Sequence, residues 1–420
     1  MGVRDAAMRE RVIYHADINN CYASIEILHH PRLRGHPVAV GGDVEARHGI
    51  ILAKNYEAKD FGIQVGNTLW EARQKCPELL IVPPTYDLYQ RVSRDFKAIL
   101  GEYTDQMESF GLDEQWMDVT HSLSIFSDSA EKLANEIRER VYREIGVTIS
   151  IGVANNKIFA KLGSDYKKPN ACTAITKENY KDIVWPLPAG DLLGVGPATQ
   201  KKLYSRGVKT IGDIARLEPQ TLQSWFGKWG LILSAFSNGY DTSPVDASQS
   251  AKNISVGNST TTPRDLIDES DCHVVFLNLA ESVAERVRLL GFKGKTVEIS
   301  LRDNALQSIT RQRTLSQPTN LAIEMTKTAM GLLREHYKWE KPLRSIGIRA
   351  TNFVSDDGIH QLSLFDDGKR ERMEMIERTI DNIRHRFGHY AIGRGALMSD
   401  KSLGWINPIG DHTIHPVGYF

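Results

Sequence analysis

An ionised carboxylate inside an apolar, β-prone run is tolerated only where something pairs with it, and this sequence sets three acids that way. Asp17 lies in the stretch Ile13–Tyr22, and the adjacent pair Asp113-Glu114 lies in Gly111–Asp118. Carboxylates converging from separate strand ends are how proteins hold Mg²⁺, which takes oxygen ligands and commonly shares them with substrate phosphates. A pair of such ions makes the clamp used for in-line displacement at phosphorus. Taken singly, each acid reads first as an ordinary strand-end turn residue. Successive strand residues point to opposite faces, so Asp113 and Glu114 can share a site only where the chain bends. Gly111 allows such a bend.

At 420 residues the chain exceeds what one hydrophobic core supports, and roughly two to four domains are expected. Formal net charge is zero, which by itself names no partner. The charge is unevenly placed, however: Arg94–Glu144 holds twelve acids against six Lys/Arg, and Lys157–Arg216 eleven Lys/Arg against five acids. An acidic block followed by a basic one suits a metal site beside a polyanion track; solvated helix faces give the same pattern. The four cysteines are widely spaced, without C-x-x-C, which argues against disulfides and structural zinc and for a reducing, cytoplasmic setting. With no long apolar run, neither a signal peptide nor a membrane span is expected.

The patterning predicts an α+β, multidomain chain. Val12–Ala16 reads as a buried strand, followed by a helix from Asn20 that ends at His29-His30-Pro31, with Asn19 or Asn20 as its cap. The helix N-terminus then lies beside Asp17 with backbone N–H groups ready for an anion. Strands are expected at Pro37–Gly42 and Gly49–Ala53, and a helix at Asn55–Phe61. A further helix at Tyr89–Tyr103 leads to a hairpin of Met107–Phe110 and Gln115–Val119. A long helix, Ala130–Glu144, gives way to strand Val147–Ile151. A helical, basic region follows Trp185-Pro-Leu-Pro188, and a polar linker is expected at residues 246–252. Beyond it come helix Val274–Leu290, strands Thr296–Leu301 and Ile309–Leu315, helix Leu321–His336 and strand Ser345–Thr351. An amphipathic helix marked by Met373, Ile376, Ile380, Ile383 and Phe387 is expected to pack on the chain itself.

With these motifs in place, residues 10–365 resemble the Y-family, translesion DNA polymerases, chiefly the bacterial polymerase IV and polymerase V branches. Asp17 and Tyr22 stand at the spacing of that family's first metal ligand and its aromatic steric gate. Asn55-Tyr-Glu-Ala-Lys59 is similar to the family's Asn-Tyr-Glu-Ala-Arg, with Lys for Arg, which keeps the charge and loses bidentate phosphate recognition. Gly111 stands where the family usually has Ser, and Asn19 where many relatives carry a further Asp. Gly152-Val-Ala-Asn-Asn-Lys157 and Ala160–Asn170 resemble the family's segment ending in Lys-Pro-Asn-Gly, with Ala171 for the last Gly. Leu192–Leu203 and Gly207–Ile214 form a helix-hairpin-helix pattern, in which Gly194 and Gly196 allow close backbone approach to a phosphate and Lys201 and Lys202 add charge. Gln361-Leu-Ser-Leu-Phe365 looks like a bacterial sliding-clamp-binding pentapeptide, with Gln361, Leu362, Leu364 and Phe365 as anchors.

The resemblance implies a right-hand polymerase. A palm would take residues 10–20 and 86–175, small fingers 21–85, a helix-hairpin-helix thumb 176–245, and an α+β little finger 253–355. The clamp motif, helix and tail would fill 356–420. It implies two Mg²⁺ held by Asp17, Asp113, Glu114 and the Ile18 carbonyl, with Glu114 also beside the primer 3′-hydroxyl. Tyr56, Lys59 and Lys168, with Lys161 as a weaker candidate, would hold the triphosphate, and Tyr22 would exclude ribose. The implied partners are primer–template DNA, deoxynucleoside triphosphates and the clamp, for a monomer working at the nucleoid. Two readings compete: a catalytically silent clamp-docking scaffold, and a non-enzymatic helix-hairpin-helix DNA-binding protein.

Overall fold

A computed structural model describes residues 10–42, 49–246, 255–356, 369–404 and 406. The chain forms two compact units. In the first, the elements run β1 (Ile13–Ile18), α1 (Cys21–His29), β2 (Val38–Gly41), β3 (Ile51–Lys54), α2 (Tyr56–Asp60), α3 (Leu69–Lys75) and β4 (Leu80–Val82). Then come α4 (Tyr86–Gly101), β5 (Met107–Phe110), β6 (Glu114–Asp118), α5 (Leu123–Phe126), α6 (Ala130–Ile145), β7 (Ile149–Ala154), α7 (Lys157–Tyr166) and β8 (Cys172–Ile175). A run of helices closes the unit: α8 (Tyr180–Ile183), α9 (Pro197–Tyr204), α10 (Ile211–Arg216), α11 (Pro219–Phe226) and α12 (Lys228–Ser237).

The central sheet has the order β5-β6-β1-β7-β8. β1 is buried along its whole length, as a run of Ile-Tyr-His-Ala-Asp-Ile in the middle of a sheet must be. Its register opposes Asp17 to Glu114 on one side and to Ser150 on the other, with His15 opposite Trp116 and Gly152. With a side-chain period of two, His15, Asp17, Glu114, Trp116, Ser150 and Gly152 therefore share one face. Helix α7 covers that face closely because position 152 has no side chain: a Cβ there would sit 1.8 Å from the Ala160 carbonyl oxygen. The helical run joins the same core, with Leu203, Ile211, Leu222 and Leu233 packed in one cluster with Ile13, Trp116 and Ile158.

A smaller sheet, β3-β2-β4, carries α2 and α3. Asn55 welds it together from one buried side chain: Oδ1 accepts from the N–H groups of Val38 (2.9 Å) and Ala58 (3.0 Å), and Nδ2 donates to the His36 carbonyl (2.7 Å). Helix α3 starts with a complete capping box of Thr68 and Glu71, the reciprocal pair that satisfies two orphan N–H groups.

The second unit contains β9 (Ser255–Leu266), α13 (Glu269–Leu289), β10 (Phe292–Asp303), β11 (Ser308–Thr319), α14 (Ala322–His336), β12 (Leu343–Ser355), α15 (Lys369–Phe387) and α16 (Lys401–Gly404). Its antiparallel sheet, β11-β10-β12-β9, packs against α13 and α14 around Phe276, Val283, Ile299, Met330 and Ile348.

Several expectations need correction. The strand expected to start at Val147 begins at Ile149 and runs to Ala154, after Gly146 ends α6 in the left-handed region. Neither Asn19 nor Asn20 caps α1: Asn20 is itself left-handed (φ 49°) and makes no cap bond, while the Asn19 side chain is engaged elsewhere. Strand β9 was not foreseen, because Ser-Val-Gly-Asn-Ser-Thr-Thr-Thr-Pro reads as polar punctuation. Its alternate residues Val256, Asn258, Thr260 and Thr262 are nonetheless buried. Helix α15 packs on its own unit, as expected, with Met373, Ile380 and Ile383 half-buried and charged residues making its fully buried contacts. Arg288 meets Glu377 (2.9 Å) and Asp381 (2.6 Å), Arg384 meets Glu281 (2.7 Å), and Ile376 and Phe387 are exposed. Gln361, Leu362, Leu364 and Phe365, and the expected linker from residue 247, lie outside the described residues.

Candidate active site

The bend required of Gly111 is present. Its φ is +87°, a conformation open to glycine at little cost, and it turns the chain between β5 and β6. Two bonds fix the turn from α4: Ser93 Oγ donates to the Leu112 carbonyl and Lys97 Nζ to the Gly111 carbonyl at 2.9 Å. The Ile18 N–H then donates to the Asp113 carbonyl at 3.0 Å, tying the end of β1 to the turn. The three carboxylates consequently converge from a strand end, a turn and the first residue of the next strand.

Asp17 is 5 % exposed and receives Lys168 Nζ at 2.7 Å, the same amine lying 2.7 Å from Asp165. Burial, with Glu114 and Asp113 nearby, pushes the Asp17 carboxyl up to about 7 despite Lys168. Burial and the charge of Glu114 likewise raise Asp113. Glu114 goes the other way. Burial would raise it, but His15 Nε2 at 3.1 Å and the Lys161 ion pair hold it at about 2. Ligand atoms of His15, Asp17 and Glu114 all lie within 4.8 Å of one another. The oxygen-rich donor set, with two carboxyls made reluctant to ionise by burial and mutual repulsion, fits a hard divalent cation.

Asn19 builds the floor. It is buried, donates to Ser150 Oγ (2.9 Å) and accepts from the Asn170 N–H (2.8 Å), so the amide that replaces an acid anchors the Lys168-Pro169-Asn170 loop to β1. Arg138 holds the far side of that loop through Asn170 (2.7 Å to Oδ1). Lys168 is thereby presented to Asp17; burial alone would lower its amine, but Asp17 and Asp165 carry it above the usual lysine range.

Tyr22 is set in a frame that sequence inspection missed. It stacks on Tyr89 (centroids 4.3 Å apart, 11° between planes) and meets Tyr86 edge-on at 6.3 Å. Tyr89 is fully buried and donates to Glu26 Oε1 at 2.5 Å. Helices α1 and α4 therefore immobilise the ring. The signal existed in the aromatic pair at 86 and 89, but helical spacing alone reads as core.

Tyr56 lies close enough to Lys168, Asp17 and Asp165 for their charges to act on its phenol, which burial raises. Lys59 is exposed and lies 5.8 Å from the Tyr56 ring centroid. The structure thus brings together Asp17, Ile18, Tyr22, Tyr56, Asp113, Glu114, Lys161 and Lys168. The helix-hairpin-helix residues belong to α9 and the turn before it. Gly194 (φ +89°) makes way for Trp229, whose ring a Cβ would strike at 2.2 Å, whereas Gly196 opens to free space before Pro197. Lys201 and Lys202 are exposed on α9.

The pattern of the impB/mucB/samB family matches residues 16–165, that of its C-terminal domain 253–364, and that of the DNA polymerase-iota thumb domain 190–241. DNA polymerase IV of Acetivibrio thermocellus is 48 % identical over 94 % of this chain and 100 % of its own length. DNA polymerase IV 1 of Bacillus subtilis is 37 % identical, covering 94 % of each. A solved chimeric Y-family DNA polymerase superposes with a TM-score of 0.73 over 82 % of this chain and 99 % of that one, at 22 % identity, which establishes a common fold. Three matching segments in order, full-length relatives and a shared fold place this chain in the impB/mucB/samB family, the Y-family of DNA polymerases.

Proposed function

We propose that the chain is a template-directed DNA polymerase that extends primers across damaged templates. The observation that carries the reading is the convergence of Asp17 and Glu114, with Asp113 close enough for its charge to act on Asp17, beside Lys168 and Tyr56. Asp17, Asp113 and the Ile18 carbonyl would hold two Mg²⁺, and Glu114 would sit beside the primer 3′-hydroxyl. Bound there, the ions would stabilise the attacking and leaving oxygens of an in-line displacement. Lys168, Tyr56 and Lys59 take the triphosphate, with the uncapped N-terminus of α1 adding backbone N–H groups. The primer 3′-oxygen attacks the α-phosphorus and pyrophosphate leaves. Primer extension with Mg²⁺ tests the assignment, since a silent scaffold or a purely DNA-binding protein extends nothing. Among the described residues no helix is long and apolar enough to cross a membrane; we place the protein, as a monomer, on DNA in the cytoplasm.

Tyr22 acts as the gate against a ribose 2′-hydroxyl, because its ring cannot retreat from the Tyr89 and Tyr86 frame. Tyr22→Ala is expected to raise ribonucleotide incorporation by about 10²-fold or more, a loss of roughly 3 kcal/mol of discrimination. Competing rNTP and dNTP insertion on one primer–template reads it out, and unchanged selectivity would remove the role.

Gln361, Leu362, Leu364 and Phe365 dock the protein on a bacterial sliding clamp, and Gly194, Gly196, Lys201 and Lys202 contact the DNA backbone. Deleting 361–365 should leave distributive synthesis within about twofold while removing stimulation by the clamp, as expected when a few anchors carry most of the binding. Stimulation that survives the deletion would exclude this segment as the dock.

A further inference from the structure

His15 is a buried residue that the polymerase reading leaves without a task. It sits on β1 two positions before Asp17 and on the same face, with no exposed surface. Its Nδ1 lies 2.8 Å from Ser164 Oγ on α7, and its ring packs edge-on against Trp116 at 5.0 Å. Its Nε2 lies 3.1 Å from Glu114 Oε2 without making a well-formed hydrogen bond. Such contacts in a free enzyme commonly tighten once substrate is bound.

We infer that His15 is a positioning residue for Glu114: the imidazole Nε2–H fixes the carboxylate, and Ser164 fixes the imidazole. The inference rests on the placement of Glu114 beside the primer 3′-hydroxyl given above. The proton must sit on Nε2, because a ring lone pair aimed at a carboxylate oxygen would repel it. This holds in either charge state of the ring. Ser164 Oγ stands 2.8 Å from the Lys161 carbonyl and 2.8 Å from Nδ1, so its single proton can turn to the ring. Lys161 pairs with the same Glu114 Oε2 from the next turn of α7, and the carboxylate is left little freedom to rotate. Mg²⁺ prefers oxygen donors, so the imidazole serves as an outer support for the acids rather than as a ligand. Such supports commonly change activity when altered, through orientation of the groups they touch.

A histidine that merely fills the core would need Ser164 and the Trp116 ring, and would be indifferent to Glu114. Two substitutions separate the cases. The shorter amide in His15→Asn reaches the place of Nδ1, keeping Ser164 and abandoning Glu114. The longer amide in His15→Gln reaches the place of Nε2 and restores a donor to Glu114. Single-turnover insertion at saturating dNTP and Mg²⁺ should fall by about 10–100-fold in His15→Asn. Its dNTP and primer–template dissociation constants should stay within about threefold, giving a loss confined to the rate of the step. His15→Gln should recover most of that rate. In a Glu114→Gln background, itself slow, His15→Asn should add far less than its separate effect.

A folded His15→Asn protein that inserts at the parent rate while Glu114→Gln is slow overturns the inference. So does a pattern in which Asn is tolerated and Gln is not, which marks a core residue held by Ser164. If His15→Asn does not melt cooperatively, a folded His15→Gln as slow as Glu114→Gln overturns it, and one near the parent rate supports it. Glu114→Gln at the parent rate would instead remove the underlying placement of Glu114.

Discussion

Asp113→Ala is expected to lower single-nucleotide insertion by about 10³-fold or more, the scale seen when preorganised charge at a reacting centre is removed, while primer–template binding survives. The side chain can be truncated without loss of the turn that carries it. The Gly111 conformation, the Ser93 and Lys97 bonds to the turn carbonyls and the Ile18 N–H bond to the Asp113 carbonyl all belong to other atoms. Exposed Lys201 and Lys202 stand on α9, away in sequence from the turn that carries Asp113, so DNA affinity measured by anisotropy should change by less than about threefold. Stability should hold or rise, because burial and Glu114 already oppose ionisation of Asp113 and removing such a group relieves the acidic cluster. Rapid-quench insertion and a thermal melt on one preparation check both halves. Insertion at the parent rate would sink the assignment of the site.

The second large effect is one of folding. Lys157 and Glu108 form an ion pair with side chains only 3 % and 1 % exposed, the amine lying 2.6 Å from each carboxylate oxygen. The pair is woven into its surroundings. Lys157 Nζ lies 4.8 Å from the Trp116 ring centroid, the Trp116 indole N–H donates to the Lys157 carbonyl at 3.0 Å, and the Asp246 N–H donates to Glu108 Oε2 at 2.9 Å. Lys157→Met strands a carboxylate in the core and should reduce unfolding free energy by about 3–5 kcal/mol, the usual result of breaking a buried pair from one side. Adding Glu108→Leu should return much of it, since two apolar groups of similar volume leave no orphan charge. Denaturant titration of the single and double variants measures the difference. A single-variant loss below about 1 kcal/mol would show that water reaches the pair.

The acids and their bend were legible because a glycine before two carboxylates, between β-prone runs, has few structural uses. Tyr22 and Lys168 were legible through motif spacing. His15 was not: one histidine in a strand looks like core until register sets it across from Trp116 and helix α7 supplies Ser164. The Tyr22 frame was hidden because contacts between α1 and α4 join positions more than sixty residues apart. Strand β9 was hidden because buried Thr and Asn on alternate positions carry no hydrophobic signal. In α15 the apolar stripe showed that the helix packs on its own unit but not that Glu377 and Arg384 are its most buried residues, paired charges that patterning rules assign to solvent.

Gly152 gives the site a vulnerability of an unusual kind. What matters there is an absent atom: any side chain would wedge α7 off the sheet, and Lys161, Ser164 and their partners would drift from the acids together. Substitutions at the lysines can be explored one at a time, each with a graded effect. At position 152 the landscape has a step in it, because one methyl group alters every distance across the helix–sheet gap at once. Attempts to stiffen this protein by replacing strand glycines, a common stabilising route, must leave that position alone.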